Sequence, residues 1–129
     1  MARGGSENRV NGNEPQQLNK RTRQFALRII RLYSSLPKST VAQAMGKQVL
    51  RSGTSVGAHY SEANFAKSNR DFINKIETAL QELEETAYWL DLLEEAEIAK
   101  SGSLAALKSE TRELIAIFVS IVKKVKSKQ

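Results

Sequence analysis

Residues 103–126 read SLAALKSETRELIAIFVSIVKKVK, and this stretch decides the fold class. Its apolar and small residues recur at alternating spacings of three and four, which is typical of a helix face that packs against other helices. The positions of this seam are Leu104, Leu107, Thr111, Leu114, Phe118, Ile121 and Val125. The pattern predicts a helix from Ser103 to about Lys126.

The N-terminal part of the chain divides into a tail and a helix. Residues 1–16 are rich in Gly, Asn, Glu and Arg and carry almost no large apolar side chains, which predicts a flexible tail. From about Gln17 to Leu36 the apolar residues share one helical stripe, and Pro37 ends it. The folded domain is therefore predicted to span residues 17–127.

The second predicted helix begins at Thr40 and continues to about Ala66. Thr40 and Gln43 have the spacing of a capping box, in which two side chains satisfy free amides at a helix start. Three glycines lie inside this stretch, and each costs about 1 kcal/mol in a helix relative to alanine. A break near Gly53 is the alternative.

The third predicted helix has the clearest boundaries. Ser68 and Asp71 are placed to cap its start, and apolar residues recur at helical spacing over residues 72–93. The segment Lys100-Ser101-Gly102 is suited to its end. Because the predicted loops are short, neighbouring helices must run antiparallel. The sequence predicts an all-α protein, an up-down-up-down four-helix bundle without strands.

Three of the helices carry more apolar residues than one inward stripe requires. Excess apolar circumference is typical of a helix that is buried on two sides. It favours an oligomer interface, and a large core with ordinary packing is the alternative. The residues concerned are Leu27, Trp89, Leu92, Ile115, Ile117, Val119 and Val122.

Composition excludes several classes of protein. The 129 residues include no cysteine, which excludes disulfides, thiolate metal sites and cysteine nucleophiles. No apolar run approaches the length of a membrane span, and the N-terminus lacks the apolar stretch of a signal peptide. We expect a soluble, cytoplasmic protein without a membrane partner.

Charge is segregated along the chain. Residues 76–99 contain eight acidic residues and no Lys or Arg, so this segment carries a charge of −8. Because the whole chain carries +6, the remaining residues carry +14. Such segregation is typical of a surface that attracts polyanions, or of acidic and basic helices that complement each other within a fold or across an interface.

Basic residues gather in the first helix and in the C-terminal tail. Phosphate binding by such residues would be strongly dependent on salt. No recognition-helix motif is present, so sequence specificity is not predicted. The candidate nucleic-acid-binding residues are Lys20, Arg21, Arg28, Arg31, Lys123, Lys124 and Lys126.

Polar residues on the second and third helices form the other candidate cluster. Ser52, Ser55, His59 and Glu62 share one helical face, and Glu82, Glu85 and Thr86 lie at similar spacing on the third helix. We interpret these seven residues as a buried structural polar network. A metal or acid-base site at His59, Glu62, Glu82 and Glu85 is the alternative.

The single histidine limits that alternative. Carboxylate-bridged di-metal bundles need two Glu-x-x-His pairs, and this chain offers only one His-x-x-Glu. Tyr88 and Trp89 are able to stack on bases, although such a pair is more often part of a core or an interface. We predict no catalytic residue, no bound metal and no cofactor, and hence a binding protein rather than an enzyme.

Two segments resemble a known family. They are QVLRSGTSVGAHYSEA (48–63) and DFINKIETALQELEETAYWLDLLEEA (71–96). They resemble the four-helix bundle proteins encoded by intervening sequences of bacterial large-subunit (23S) ribosomal RNA genes, also called ribosomal protein S-twenty-three. The resemblance covers about residues 20–125. The family usually has asparagine where this chain has His59.

The resemblance implies a ring, most simply a homopentamer, without catalytic residues. The same fold occurs in the accessory variability proteins of diversity-generating retroelements, which bind a reverse transcriptase and nucleic acid. Three hypotheses follow: a ribosomal-insert protein that binds RNA or DNA and docks a protein partner, a retroelement accessory protein that binds reverse transcriptase and template RNA, and a protein scaffold without a nucleic-acid role.

Overall fold

Four α-helices form the structure, a computed structural model that describes residues 14–128. The helices are α1 (Glu14–Ser35), α2 (Thr40–Ala63), α3 (Asn69–Glu95) and α4 (Ser101–Lys126), and these residues contain no strand. Close contacts join α1 to α2, α2 to α3 and α3 to α4, whereas α1 and α4 meet only loosely. The predicted all-α class and four-helix bundle are confirmed.

The core is built from one buried stripe on each helix. Every position of the α4 seam is buried, as its spacing predicts. The ring of Phe118 stacks on that of Tyr60 from α2, with 5.6 Å between their centroids, and both side chains are fully buried. Burial of these apolar faces is the main source of the stability of the bundle.

The start of α1 lies three residues before the predicted position. The helix begins at Glu14, and Pro15 occupies its first turn. Proline is tolerated there because the first amides of a helix have no partner within the helix. The rest of the predicted tail, residues 1–13, lies outside the described residues.

Helix α2 is continuous, so the alternative of a break near Gly53 was wrong. Its glycines face α1. A Cβ atom added at Gly53 would lie 2.7 Å from Cγ1 of Ile29, and one added at Gly57 would lie 3.0 Å from the hydroxyl oxygen of Thr22. The glycines therefore allow α1 and α2 to approach closely, and this packing outweighs their low helix propensity.

The predicted capping box at Thr40 and Gln43 was wrong. Ser39 caps α2 instead, because its hydroxyl accepts a hydrogen bond from the amide of Ala42 at 3.2 Å. Gln43 accepts a hydrogen bond from the Tyr33 hydroxyl (2.8 Å) and donates one to the Pro37 carbonyl (2.9 Å). The side chain of Gln43 thus holds the loop between α1 and α2 rather than the helix start.

The start of α3 was predicted correctly, whereas its end was not. Ser68 caps its start by accepting from the amide of Asp71 at 3.0 Å, as predicted. The helix ends at Glu95, before the predicted segment Lys100-Ser101-Gly102. Glu97 takes a left-handed conformation (φ 59°), and the amide of Ile98 donates to the carbonyl of Leu93 at 3.0 Å. These bonds form a Schellman-type end that lacks the usual glycine.

The excess apolar residues separate into three groups. Val122 is buried, and Trp89, Ile115 and Ile117 pack against the core, which favours the alternative of a large core for these positions. Leu92 is half-buried. Leu27 and Val119 remain exposed by 44% and 36%. Within residues 14–128 none of the helices has the length and apolarity needed to cross a bilayer.

Candidate nucleic-acid interface

The antiparallel topology gathers basic residues at one end of the bundle. At this end α1 begins, α2 ends, α3 begins and α4 ends. We call it the basic end and define it by its exposed basic residues Lys20, Lys67, Arg70, Lys123, Lys124, Lys126 and Lys128. Lys20 and the C-terminal lysines are distant in sequence, and the fold brings them to the same end. Lys67 and Arg70 were not among the predicted site residues.

Several of these cations have no acidic partner. Within the described residues, Lys20, Lys67, Arg70, Lys123 and Lys124 form no ion pair, whereas Lys126 pairs with Glu77 at 3.3 Å. A lysine without a carboxylate partner keeps its charge available to a phosphate. Within residues 14–128 the basic end therefore presents five basic residues that form no ion pair, beside the partly exposed carboxylates of Glu62 and Asp71.

Arg21 was predicted to bind nucleic acid, but its guanidinium is bound by two carboxylates. Its guanidinium donates two hydrogen bonds to Glu110, at 2.7 and 2.8 Å, and one to Glu113 at 2.7 Å. The hydrogen bond to Glu110 raises the pKa of Arg21 above its usual value. Two carboxylates of α4 thus compensate its charge, and Arg21 connects α1 to α4 across their loose side.

The loose side between α1 and α4 contains a groove of about 490 Å³. Leu18, Ile117 and Ile121 supply its apolar lining, and Arg21 and Lys124 lie at its polar positions. Arg28 and Arg31 lie further along α1, roughly 12 and 16 Å from Lys20 at 1.5 Å per residue. The seven predicted nucleic-acid-binding residues therefore do not form one patch.

Part of the segregated charge is complemented inside the fold. Lys108 of α4 contacts Glu94 and Asp91 of α3, and the hydrogen bond to Glu94 raises the pKa of Lys108. Arg51 of α2 contacts Glu82 and Glu85 of α3. The acidic helix α3 thus pairs with basic residues on both neighbours, as one of the two interpretations of the charge pattern predicts.

The predicted polar network separates into a buried pair and a surface cluster. Ser52 and Thr86, both fully buried, lie 2.7 Å apart through their hydroxyl oxygens. The Thr86 hydroxyl lies 2.8 Å from the carbonyl of Glu82, whereas that of Ser52 lies 3.4 Å from the carbonyl of Val49, so the shorter distance favours Thr86 as donor to Glu82 and Ser52 as donor to Thr86. Ser55 does not join them, because its hydroxyl donates to the Arg51 carbonyl of its own helix at 2.6 Å.

The surface cluster is organised by Arg51, which the sequence analysis missed. Its guanidinium lies between the carboxylates of Glu82 and Glu85. His59 lies 3.7 Å from Glu82 and 3.8 Å from Glu62, distances that exceed those of a hydrogen bond. Among residues 14–128 no group of three or more His, Asp or Glu side chains is arranged to hold a metal ion.

Removing the Thr86 hydroxyl tests the buried pair. Thr86→Val keeps the side-chain shape but leaves the buried Ser52 hydroxyl without its best acceptor, so we expect the free energy of unfolding to fall by about 1 kcal/mol. Ser52→Ala combined with Thr86→Val should cost less than the sum of the two single substitutions. Urea denaturation of all four proteins measures this coupling.

Ser55→Ala is the matched control for that cycle. Its hydroxyl bonds only within α2, so we expect its removal to change the free energy of unfolding by less than about 0.5 kcal/mol. Strict additivity of the Ser52 and Thr86 substitutions would show that the two hydroxyls are not coupled.

Tyr88 and Trp89 lie on α3 beside Arg51 and Glu85 of the surface cluster. Their rings meet edge to face, with centroids 5.1 Å apart. Trp89 packs against the core, while Tyr88 is 57% exposed beside the acidic residues Glu84 and Glu85. Carboxylates next to Tyr88 repel phosphates, so this pair is poorly placed to stack on a nucleic acid.

Comparison with known proteins identifies a family and a solved structure to which this chain is similar. The model of the 23S rRNA-intervening sequence protein family matches residues 14–120. A 1.70 Å crystal structure of a protein with unknown function from the S23 ribosomal protein family, from Bacteroides thetaiotaomicron VPI-5482, is similar with a TM-score of 0.77. The two sequences are 40% identical over 81% of this chain and 97% of that chain. A comparison with curated proteins gives no match.

Proposed function

Since the chain belongs to the 23S rRNA-intervening sequence protein family, we propose that it is a non-enzymatic, self-associating bundle that binds RNA or DNA through its basic end. The five cations of that end that form no ion pair within residues 14–128 are the observation that supports the proposal. Five cations at one end of a small domain create a positive field, and such a field attracts a phosphate backbone without regard to sequence.

The structure changes which of the predicted residues we assign to phosphate binding. Lys20, Lys123 and Lys124 keep that role, because they are exposed and have no acidic partner among the described residues. Arg21 is assigned to holding α1 against α4, since two carboxylates already bind its guanidinium. Arg28 and Arg31 contribute to the general positive field, whereas the charge of Lys126 is paired with Glu77.

Self-association is the second part of the proposal. Leu27 and Ile30 lie one turn apart on the outer face of α1 and are 44% and 42% exposed, so they offer an apolar strip to another copy. A ring of copies would multiply the positive charge that each bundle presents. The molar mass in dilute buffer, measured by light scattering, tests this part, and a monomer would contradict it.

A triple substitution tests nucleic-acid binding. We expect wild-type protein to bind single-stranded and duplex probes, with an affinity that falls steeply as salt rises. Lys20→Ala, Lys123→Ala and Lys124→Ala together should weaken binding at least tenfold. They should also reduce the slope of log affinity against log salt by about 2 to 3, because each of the three lost phosphate contacts removes about 0.7 to 0.9.

The opposite end of the bundle supplies a matched control. Lys38, Lys47 and Lys100 are exposed, and changing all three to alanine removes the same charge. We expect this control to lose much less affinity and to keep its salt slope. Equal losses in the two triple variants would show that net charge alone drives binding. Absence of binding by the wild-type protein at low salt would overturn the proposal in favour of a protein scaffold.

The resemblance to the accessory proteins of diversity-generating retroelements implies a second candidate partner, a reverse transcriptase. Co-purification of the full chain with the reverse transcriptase of a neighbouring gene would support it.

A further inference from the structure

One phenylalanine of the chain is exposed to solvent. Phe25, Phe72 and Phe118 are at most 1% exposed, whereas Phe65, in the turn between α2 and α3, is 84% exposed. The turn that carries it is held by backbone hydrogen bonds. The amide of Phe65 donates to the carbonyl of Glu62 at 3.1 Å, and the amide of Ala66 donates to that of Ala63 at 3.0 Å. The backbone that presents the Phe65 ring to water is therefore fixed.

The residues around Phe65 are charged rather than apolar, and they include the carboxylates of Glu62 and Asp71 as well as two cations. Lys67 follows two residues later, and Arg70 lies in the first turn of α3. Both are exposed and form no ion pair within residues 14–128. Within residues 14–128 the other large exposed hydrophobic residues lie on the helices: Leu27, Ile30, Val41, Tyr88 and Val119. Phe65 is thus a single aromatic ring among the cations of the basic end.

We propose that Phe65 stacks on an unpaired base of single-stranded nucleic acid while Lys67 and Arg70 bind the adjoining phosphates. This inference rests on the proposed nucleic-acid function and names the form of substrate for it. Proteins that bind single strands combine a positive surface for the backbone with aromatic rings for the bases. A duplex buries its base faces within its own stack, so it offers nothing to the ring except at an end or a loop.

Charge makes a second copy of the chain a poor occupant of the same place. A symmetric contact through Phe65 would bring Lys67 and Arg70 of one copy against the same residues of the other. Juxtaposed like charges disfavour such an interface. A polyanion with exposed aromatic bases matches both the cations and the exposed aromatic ring of this surface.

Substitutions at Phe65 test the inference in the full chain. The probes are single-stranded RNA and DNA of one sequence, each carrying 2-aminopurine, whose fluorescence falls when the base stacks. A duplex of the same sequence is the third probe. We expect Phe65→Ala and Phe65→Leu to weaken binding of the single strands about tenfold and to abolish the fluorescence change. Because the ring carries no charge, the salt slope should stay unchanged.

Control variants separate stacking from other effects of the substitution. Phe65→Tyr keeps an aromatic ring and should keep the affinity for single strands. Val41→Ala removes an exposed apolar side chain at the other end of the bundle and should change nothing. Binding of the duplex should be the same in all variants.

Several results would overturn the inference. Wild-type affinity in Phe65→Leu would show that apolar area rather than stacking is needed. An equal loss on single strands and duplex would show that the ring does not select unpaired bases. A change in molar mass without a change in affinity would assign Phe65 to self-association. If wild-type protein binds nucleic acid and the Phe65 variants bind equally well, only the stacking inference fails; if wild-type protein binds none, the proposed function fails with it.

Discussion

Replacing Phe118 with alanine is expected to lower the free energy of unfolding by about 4 kcal/mol. Phe118 lies on the α4 seam, is fully buried and stacks on Tyr60. Its removal takes away the apolar contacts of a large ring and leaves a cavity between α4 and α2 that the surrounding side chains can close only in part. Urea or thermal denaturation followed by circular dichroism measures the loss.

Phe65→Ala is the matched control for Phe118→Ala. The substitution is chemically identical, but Phe65 is 84% exposed, so we expect a change of less than about 0.5 kcal/mol. The same variant serves in the nucleic-acid experiments, where normal stability shows that any lost affinity is not a result of unfolding. Similar losses at both positions would contradict the described packing of α4.

Replacing Gly53 with alanine is expected to lower the free energy of unfolding by about 2 kcal/mol, even though alanine is the better helix former. The new Cβ atom would lie 2.7 Å from Cγ1 of Ile29 and 3.0 Å from both Cγ2 and Cδ1. Ile29 is fully buried and branched at its own Cβ, so it cannot turn away easily. Helix α1 must move to make room.

Gly102→Ala is expected to have the opposite sign. A Cβ atom at Gly102, in the first turn of α4, would meet nothing within 4 Å. The substitution therefore brings the gain in helix propensity without a clash, and we expect a stabilisation of about 0.5 kcal/mol. Denaturation midpoints of the two variants compare the same chemical change in two environments. Stabilisation by both substitutions would show that α1 does not pack tightly on Gly53.

The fold was predictable because apolar periodicity repeats over every helix. The seam from Leu104 to Val125 and the cap at Ser68 each depend on residues close in sequence, and both were predicted correctly. Helix α2 begins at Thr40 as predicted, but its capping residue was not predicted, because Ser39 and Thr40 are both good caps and the loop geometry decides between them. The end of α3 was missed because Glu97 takes a conformation that favours glycine.

The candidate site was less predictable because it depends on which helices face each other. Arg21 looked like a free cation, and its two glutamate partners lie on the last helix of the chain. Arg51 was overlooked, although it organises the cluster around Glu82 and Glu85. Lys67, Arg70 and Phe65 have no periodic signal, since they lie in a turn or at a helix start. They are neighbours in sequence, and the antiparallel topology places them at the same end as Lys20 and the C-terminal lysines.

The loose side between α1 and α4 has a consequence for the folding rate. Nearly all tertiary contacts join helices that are consecutive in the chain, so each hairpin closes through a short loop and loses little chain entropy. Proteins with such local contacts fold on timescales of about microseconds to milliseconds. Arg21 and Glu110 are 89 residues apart in sequence, and few other contacts join their two helices. We therefore expect this pairing to form after the transition state, so that its loss speeds unfolding and leaves the folding rate nearly unchanged.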